Sequence, residues 1–491
     1  MREADRAASE DHGMPSVLLM ERAGMEAARW ILSEHPSARA ATILVGPGGN
    51  GGDGLVVARH LAEAGWDVVV TAPGGRAPGS GDAALMARVA AASGIAVEAF
   101  DPGAPHPDGI VVDALLGTGA TGAPRGPVAG AVEWIAAHPG AVVALDIPSG
   151  VAADTGRVAG AAVRATATVT FHGDMAGLRI APGRGYAGRI AVVDIGVPAA
   201  VRLEPAAWLV SDAAVTAIPA KGEVADKYAS GSVLVVAGSA GLIGAAVLAG
   251  RATLRAGAGL AVVAVPGSVQ PAAAAHLVEV MCAPLPDEDG HLAPCSLEAI
   301  ARQARRASAV ALGPGLGRAE ATTEAVAALL DSLVLPLVLD ADGLWHLGDG
   351  PERLAGRAAP TVITPHAGEA ARLLGRERAE VEGDRLAAAR ELATRSGAVV
   401  VLKGAGTLVA APGGLVAVAE GGSPALATAG TGDVLTGVVS AVLAKGVEPF
   451  AAAAAAVALH ARAGALAGRG DGTIASDVLE ALPEARRPGG S

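Results

Sequence analysis

The sequence predicts an α/β protein made of two parallel-sheet domains in tandem. Three observations lead there. Short Val/Ile/Leu runs alternate with Ala-rich segments of helical period along most of the chain; apolar residues make up 51% of its 491 residues; and the alternation breaks once, between residues 204 and 230. Apolar runs of 4–6 residues between helices mark strands buried on both faces, as in a parallel sheet covered by helices. A chain of this length exceeds one ordinary core. Aromatics are only 2%, so the interiors must be packed with Ala, Val and Leu.

In order, the first half reads as a helix over 16–33, which Leu19, Ala23 and Trp30 follow round, then a strand at 42–45 and a helix after Gly54. Strands at 68–70, 110–115 and 142–147 follow, separated by helices near 81–92 and 127–137; strands at 167–171 and 189–195 close the series. Pro205, Pro219 and the charges at 221–227 interrupt the pattern, so 206–230 is expected as a linker between domains at 1–205 and 231–485. The second series has strands at 232–238, 260–265, 307–313, 336–343, 360–366, 398–404, 407–411 and 415–419. A helix near 243–256 and two long Ala/Val helices, 432–444 and 449–467, complete it.

Net charge is −12, with no basic run and few aromatics, which excludes a nucleic-acid platform. Cys282 and Cys295 without a CxxC suit a reducing, cytoplasmic setting and no structural zinc. The polar start MREADRAASEDHG is no signal peptide, and no membrane partner is expected. The run 450–467 carries His460 and Arg462 and reads as a buried core helix.

The stretch 45-VGPGGNGGDGL-55 satisfies G-x-G-x-x-G through Gly46, Gly48 and Gly51. A dinucleotide fingerprint also needs an acidic residue at the end of the next strand, where this chain has Ala72-Pro73-Gly74; Asp67 stands at the wrong end. Asn50 and Asp53 add an amide and a carboxylate, and a carboxylate repels pyrophosphate unless a cation intervenes. Two further strand ends, VVDALLGTGATG (111–122) and VVALDIPSG (142–150), present Asp113, Asp146 and Ser149. Ligands of open α/β sheets bind at that rim. Asn50, Asp113 and Ser149 together offer one carboxylate and neutral oxygens, a set suited to a hard monovalent cation. Taken singly, each strand-end Asp is more often a helix cap; three in register point to a shared site.

In the second half, 428-TAGTGDVLTGVV-439 places Gly430-Thr431-Gly432 before a long helix, an anion hole made of free backbone amides. Asp433 lies in the helix's first turn, where the dipole is expected to keep it ionised. No GxxxxGK[ST] exists; Lys403, one of only four lysines, ends a strand before Gly404-Ala405-Gly406-Thr407. His366 and Glu369 in ITPHAGE, Asp340 and Asp342 in LVLDADGL, and the turn VALGPGLG add polar groups at strand ends. His366 suits either a helix cap or a substrate contact.

These motifs resemble a known pair. GPGGNGGDGLVVARHL, VVDALLGTG, ALDIPSG and 14-MPSVLLMERAG-24 are similar to NAD(P)H-hydrate epimerase domains; the five motifs of the second half, with 238–260, resemble ADP-dependent NAD(P)H-hydrate dehydratases. The resemblance implies a Rossmann-like three-layer αβα domain followed by a ribokinase-like α/β domain. It implies epimerisation of the C6 hydroxyl of hydrated NADH or NADPH and dehydration of the S epimer at the expense of ADP. It implies potassium held by Asn50, Asp113 and Ser149, and substrate contacts from Asn50, Gly51, Gly52, Asp53, the loop Gly117, Thr118, Gly119, Ala120, Thr121, Gly122, Ala123, and Asp146, which would handle the proton. In the second domain it implies Lys403, Gly404, Ala405, Gly406, Thr407 and Gly432 at the nucleotide, Ala245, Gly315 and His366 at the hydrate, Asp433 as base, and Mg²⁺. Gly49 departs from the family's first Asn, Ala367 from a usual Pro and Thr431 from a usual Met. The residues leave two alternatives open: a ribokinase-like small-molecule kinase, and a first domain that only binds a nucleotide or partner. Small-molecule substrates and a homo-oligomer are expected.

Overall fold

The computed structural model describes residues 2–201, 203–222 and 226–487, which fall into compact units at 1–206 and 207–491. The first unit is built on a seven-stranded sheet with every neighbouring pair parallel. Its strands are β1 (Ala40–Val45), β2 (Asp67–Ala72), β3 (Val97–Ala99), β4 (Ile110–Ala114), β5 (Val142–Leu145), β6 (Ala167–Phe171) and β7 (Arg189–Val193), in the order β3-β2-β1-β4-β5-β6-β7. β4 and β5 are buried throughout, the reason their sequences show no alternation. The strand order reverses between β1 and β4, so the ends of β1, β4 and β5 form the crevice where such sheets bind ligands. Helices Ser16–Glu34 and Gly49–Glu63 pack on one face, and Val132 and Ile135 of helix Pro127–Ala136 on the other.

The second unit contains a ten-stranded sheet. β8 (Trp208–Val210), β9 (Ser232–Val236), β10 (Leu260–Pro266) and β11 (Met281–Leu285) precede a small hairpin, β12 (Asp287–Glu288) with β13 (His291–Leu292). Then come β14 (Ala309–Leu312), β15 (Leu337–Leu339), β16 (Thr361–Ile363), β17 (Val399–Leu402), β18 (Leu408–Ala410) and β19 (Val416–Ala419). The order is β11-β10-β9-β14-β15-β16-β17-β18-β19-β8, with only β18 antiparallel to its neighbours. Helices Ile243–Arg255, Thr431–Ala444, Pro449–Ala467 and Ala475–Ala485 share one core. Gly437 allows two of them to touch, since a Cβ there would lie 2.3 Å from the Ala249 carbonyl oxygen. Pro449–Ala467 is long and apolar enough to cross a membrane, yet 67% of its apolar 18-residue window is buried.

The expected strands and helices lie within a few residues of those observed, with informative exceptions. Residues 206–230 are not a bare linker, because β8 joins the second sheet beside β19 and Val215 enters the core. The helix expected after Gly54 starts at Gly49, with Gly51, Gly52 and Gly54 fitting against neighbours too close for side chains. Both cysteines are free thiols.

Candidate active sites

In the first unit the strand ends enclose a cavity of about 550 Å³, lined by Asn50, Asp53, Gly117, Thr118, Gly119, Ala120 and Asp146 among others. Gly117 also borders a smaller cavity of about 200 Å³, which Gly122 lines. Thr121 and Ala123 line neither. Gly51 and Gly52 are buried below the floor: a Cβ on Gly51 would meet the Gly46 carbonyl oxygen at 2.0 Å, and one on Gly52 the Met20 sulfur at 2.6 Å. Their glycine identity is a packing requirement.

Asn50, Asp113 and Ser149 converge around the Leu116 peptide. The Ser149 hydroxyl donates to Asp113 Oδ1 (2.7 Å), the Ser149 amide donates to Oδ2 (2.8 Å), and the Leu116 amide donates to the Ser149 oxygen (2.9 Å). Asn50 Nδ2 donates to the carbonyls of Leu116 (2.9 Å) and Leu145 (3.2 Å), which fixes the amide's orientation. That leaves Asn50 Oδ1 buried with no partner among the described residues. An unsatisfied buried oxygen beside carbonyls and one carboxylate is a donor set a desolvated monovalent cation would satisfy. Among the described residues no group of three His, Cys, Asp or Glu is arranged to hold a metal. Burial pushes Asp113 up to about 6, against the pull of the Ser149 and Leu115 donors.

Asp146 follows β5 with φ 65°, a left-handed conformation costly for a non-glycine residue. Its Oδ2 accepts the Thr118 amide at 2.8 Å and so anchors the 117–123 loop. A Cβ on Gly117 would lie 2.7 Å from that oxygen. Burial raises the Asp146 carboxyl, and burial followed by the charges of Asp146 and Asp5 raises Asp53 well above the usual range. Asp5, from helix Arg2–Glu10, also lines the cavity, as do Met20, Asp82 and Phe171. Sequence reasoning missed these. Only the MPSVLLMERAG stretch carried a signal near them.

In the second unit, Gly430 takes a left-handed conformation (φ 89°) as the N-cap of helix Thr431–Ala444, and Asp433 follows in the first turn. The Lys403 ammonium sits against this turn, 3.5 Å from where a Cβ on Gly432 would stand. Lys403 Nζ pairs with Asp340 Oδ1 at 2.8 Å and lies 3.9 Å from Glu369 Oε2, while the Thr436 hydroxyl donates to Asp340 Oδ2 at 2.6 Å. Burial alone would raise Asp340 and lower Lys403; their mutual attraction outweighs it and keeps both charged. Asp433 does not follow the expectation from the helix dipole. Burial, and then the Asp340 charge, raise it to about 7.

Ala245 and Gly315 meet: a Cβ on Gly315 would lie 3.0 Å from the Ala245 Cβ, and the Ser239 hydroxyl donates to the Gly315 carbonyl at 2.9 Å. His366 caps helix Ala367–Leu374, its Nδ1 accepting the Gly368 and Glu369 amides at 3.0 and 3.1 Å, while Glu369 Oε2 accepts the His366 amide at 2.7 Å. An accepting Nδ1 leaves the proton on Nε2 of an exposed ring. Asp342 Oδ2 accepts the Gly317 amide at 3.0 Å and shapes the glycine turn after β14. His460, behind the Thr431 backbone, is buried and held down at about 4, so it stays neutral.

Two family models cover these units: NAD(P)H-hydrate dehydratase matches residues 233–484, and the YjeF-related protein N-terminus matches residues 16–177. The bifunctional NAD(P)H-hydrate repair enzyme Nnr of Salinibacter ruber is 42% identical over 98% of this chain and 94% of its own. The chain belongs to the bifunctional NAD(P)H-hydrate repair enzyme family. The Escherichia coli member is 34% identical over 99% of this chain and 93% of its own. A ribokinase-like superfamily protein from Enterococcus faecalis superposes on 58% of this chain and 97% of its own, with a TM-score of 0.50 at 23% identity, which establishes the fold of the second unit. As a member of the family, the chain joins an epimerase domain to a dehydratase domain.

Proposed function

We propose that the first unit epimerises the C6 hydroxyl of NAD(P)H hydrates at the cavity floored by Asn50 and Asp146, and that the second dehydrates the S epimer with ADP at the Asp433 turn. The observation that carries this reading is the meeting of Asp433, Lys403 and the amides of Gly430–Gly432 at one helix N-terminus. Asp433, titrating at about 7, takes the proton of the C6 hydroxyl, near where a general base works best. The hydroxyl oxygen bonds to the terminal phosphorus of ADP, and AMP leaves. The Gly430 and Gly432 amides, free of acceptors among the described residues, and the Lys403 ammonium stabilise the charge that develops on the transferred group. The ring nitrogen's lone pair then expels phosphate, a better leaving group than hydroxide, and the iminium so formed loses a proton from C5 to restore the dihydronicotinamide.

In the first unit, Asn50 Oδ1, Asp113 and Ser149 would hold potassium, which when bound supplies positive charge beside the substrate. Asp146, its carboxyl raised by burial and oriented by the Thr118 amide, exchanges a proton with the C6 oxygen. Mg²⁺ fits differently. Asp340 is already taken by Lys403 and Thr436, so magnesium would enter as the counter-ion of the nucleotide's phosphates.

The test supplies mixed hydrate epimers and ADP and follows dihydronicotinamide absorbance together with inorganic phosphate. Equimolar release of both is expected. A stable phosphorylated product would mark a small-molecule kinase instead, and absence of phosphate would overturn the dehydratase reading.

A further inference from the structure

Arg385 begins helix Arg385–Ser396 and is only 4% exposed. Its guanidinium reaches under the turn that joins β17 to β18. Nη1 donates to the carbonyls of Ala405 (2.8 Å) and Gly406 (3.2 Å), and Nη2 donates to those of Leu402 (3.1 Å) and Lys403 (3.2 Å). The one carbonyl left in that run, Gly404, accepts the Thr407 hydroxyl at 2.9 Å. Gly404 has φ 146°, and a Cβ there would stand 2.8 Å from Nη2, so the close approach requires glycine. Among the described residues, Arg385 has no carboxylate within ion-pair distance, and the amides of Gly404, Ala405, Gly406 and Thr407 have no acceptor.

A buried guanidinium that spends its donors on backbone carbonyls does two things. It pins the turn in one conformation, and it places an uncompensated positive charge beneath it. With the carbonyls all engaged and the amides free, the turn is an array of donors suited to an anionic ligand. We infer that Arg385 is the positioning residue of the nucleotide site, holding the carbonyls of Leu402, Lys403, Ala405 and Gly406 so that the free amides of 404–407 and the Lys403 ammonium meet the phosphates of the adenine nucleotide. This rests on the reading of Lys403–Thr407 as the nucleotide-binding turn. Lysine cannot replace it, because one ammonium has three donors and no planar fork to span the turn.

The experiment uses the full chain. In the parent protein, ADP should slow hydrogen exchange of the 404–407 amides; absence of that protection would refute the nucleotide reading of the turn itself, whatever Arg385 does. With protection present, R385K should raise the KM for ADP by about tenfold or more, as loss of a preorganised anion contact does. The KM for the hydrate and kcat at saturating ADP should stay near parental values, and unliganded 404–407 amides should exchange faster. R385A should recover ADP affinity when millimolar guanidinium is added. An unchanged KM for ADP in R385K overturns the inference. So does an equal loss in every kinetic constant with a lowered Tm and no rescue by guanidinium, which would make Arg385 a stability residue only.

Discussion

A carboxylate in the first turn of a helix gains about 0.3–1 kcal/mol from the dipole, which by itself would favour an ionised Asp433. Burial and the neighbouring Asp340 push the other way, to about 7. The sign matters for activity. Below that value Asp433 carries a proton and cannot accept another, so kcat for dehydration should climb as pH rises through about 7 and level above it. A rate-pH profile with its acid limb near 4 would show that burial does not raise Asp433 in the working enzyme. Asp433→Asn should lower dehydration by about 10²–10⁴-fold while leaving epimerisation intact. The first unit offers a parallel test. Asp113→Asn removes the one carboxylate of the proposed cation site, and epimerisation should fall about 10–100-fold together with its dependence on potassium. Epimerisation that keeps its potassium activation in Asp113→Asn would place the cation elsewhere.

The elements that carry these residues were readable for a physical reason. β4, β5, β9, β14 and β17 are buried along their whole length and sit in the middle of their sheets, so each is a plain apolar run ending in a polar or glycine residue. β3, β8 and β11 lie at sheet edges with mixed exposure, and their sequences give no such signal. The site was legible to the same extent. Asp113, Asp146, Lys403 and Asp433 mark strand ends or a helix start. The Lys403–Asp340 pair, the Arg385 clasp and the entry of Asp5 into the cavity depend on long-range folding that local pattern does not encode. Gly51 shows how motif and packing can be confused. Gly51→Ala puts a methyl 2.0 Å from the Gly46 oxygen, which should cost about 3 kcal/mol and lower the first unit's Tm by about 10 °C. Lost epimerisation at an unchanged Tm would instead make Gly51 a substrate contact.

At the scale of the whole chain, the two chemistries are linked by their shared substrate. A dehydratase that accepts one C6 epimer leaves the other untouched unless something interconverts them, which is a chemical reason to carry both activities on one polypeptide. Asp113→Asn, given a mixed epimer pool and excess ADP, should therefore repair the S fraction quickly and the remainder about 10–100-fold more slowly than the parent. Adding the Asp433→Asn chain, whose first unit is unaltered, should speed this slow phase by supplying S epimer through solution. Complete repair by Asp113→Asn alone at the parental rate would mean that epimerisation does not depend on Asp113. The rate of the mixed pair carries a second result. If it equals that of the parent at the same active-site concentrations, the epimer exchanges freely with solvent between units; a slower mixed pair means that a shared chain shortens the passage of substrate from one site to the other.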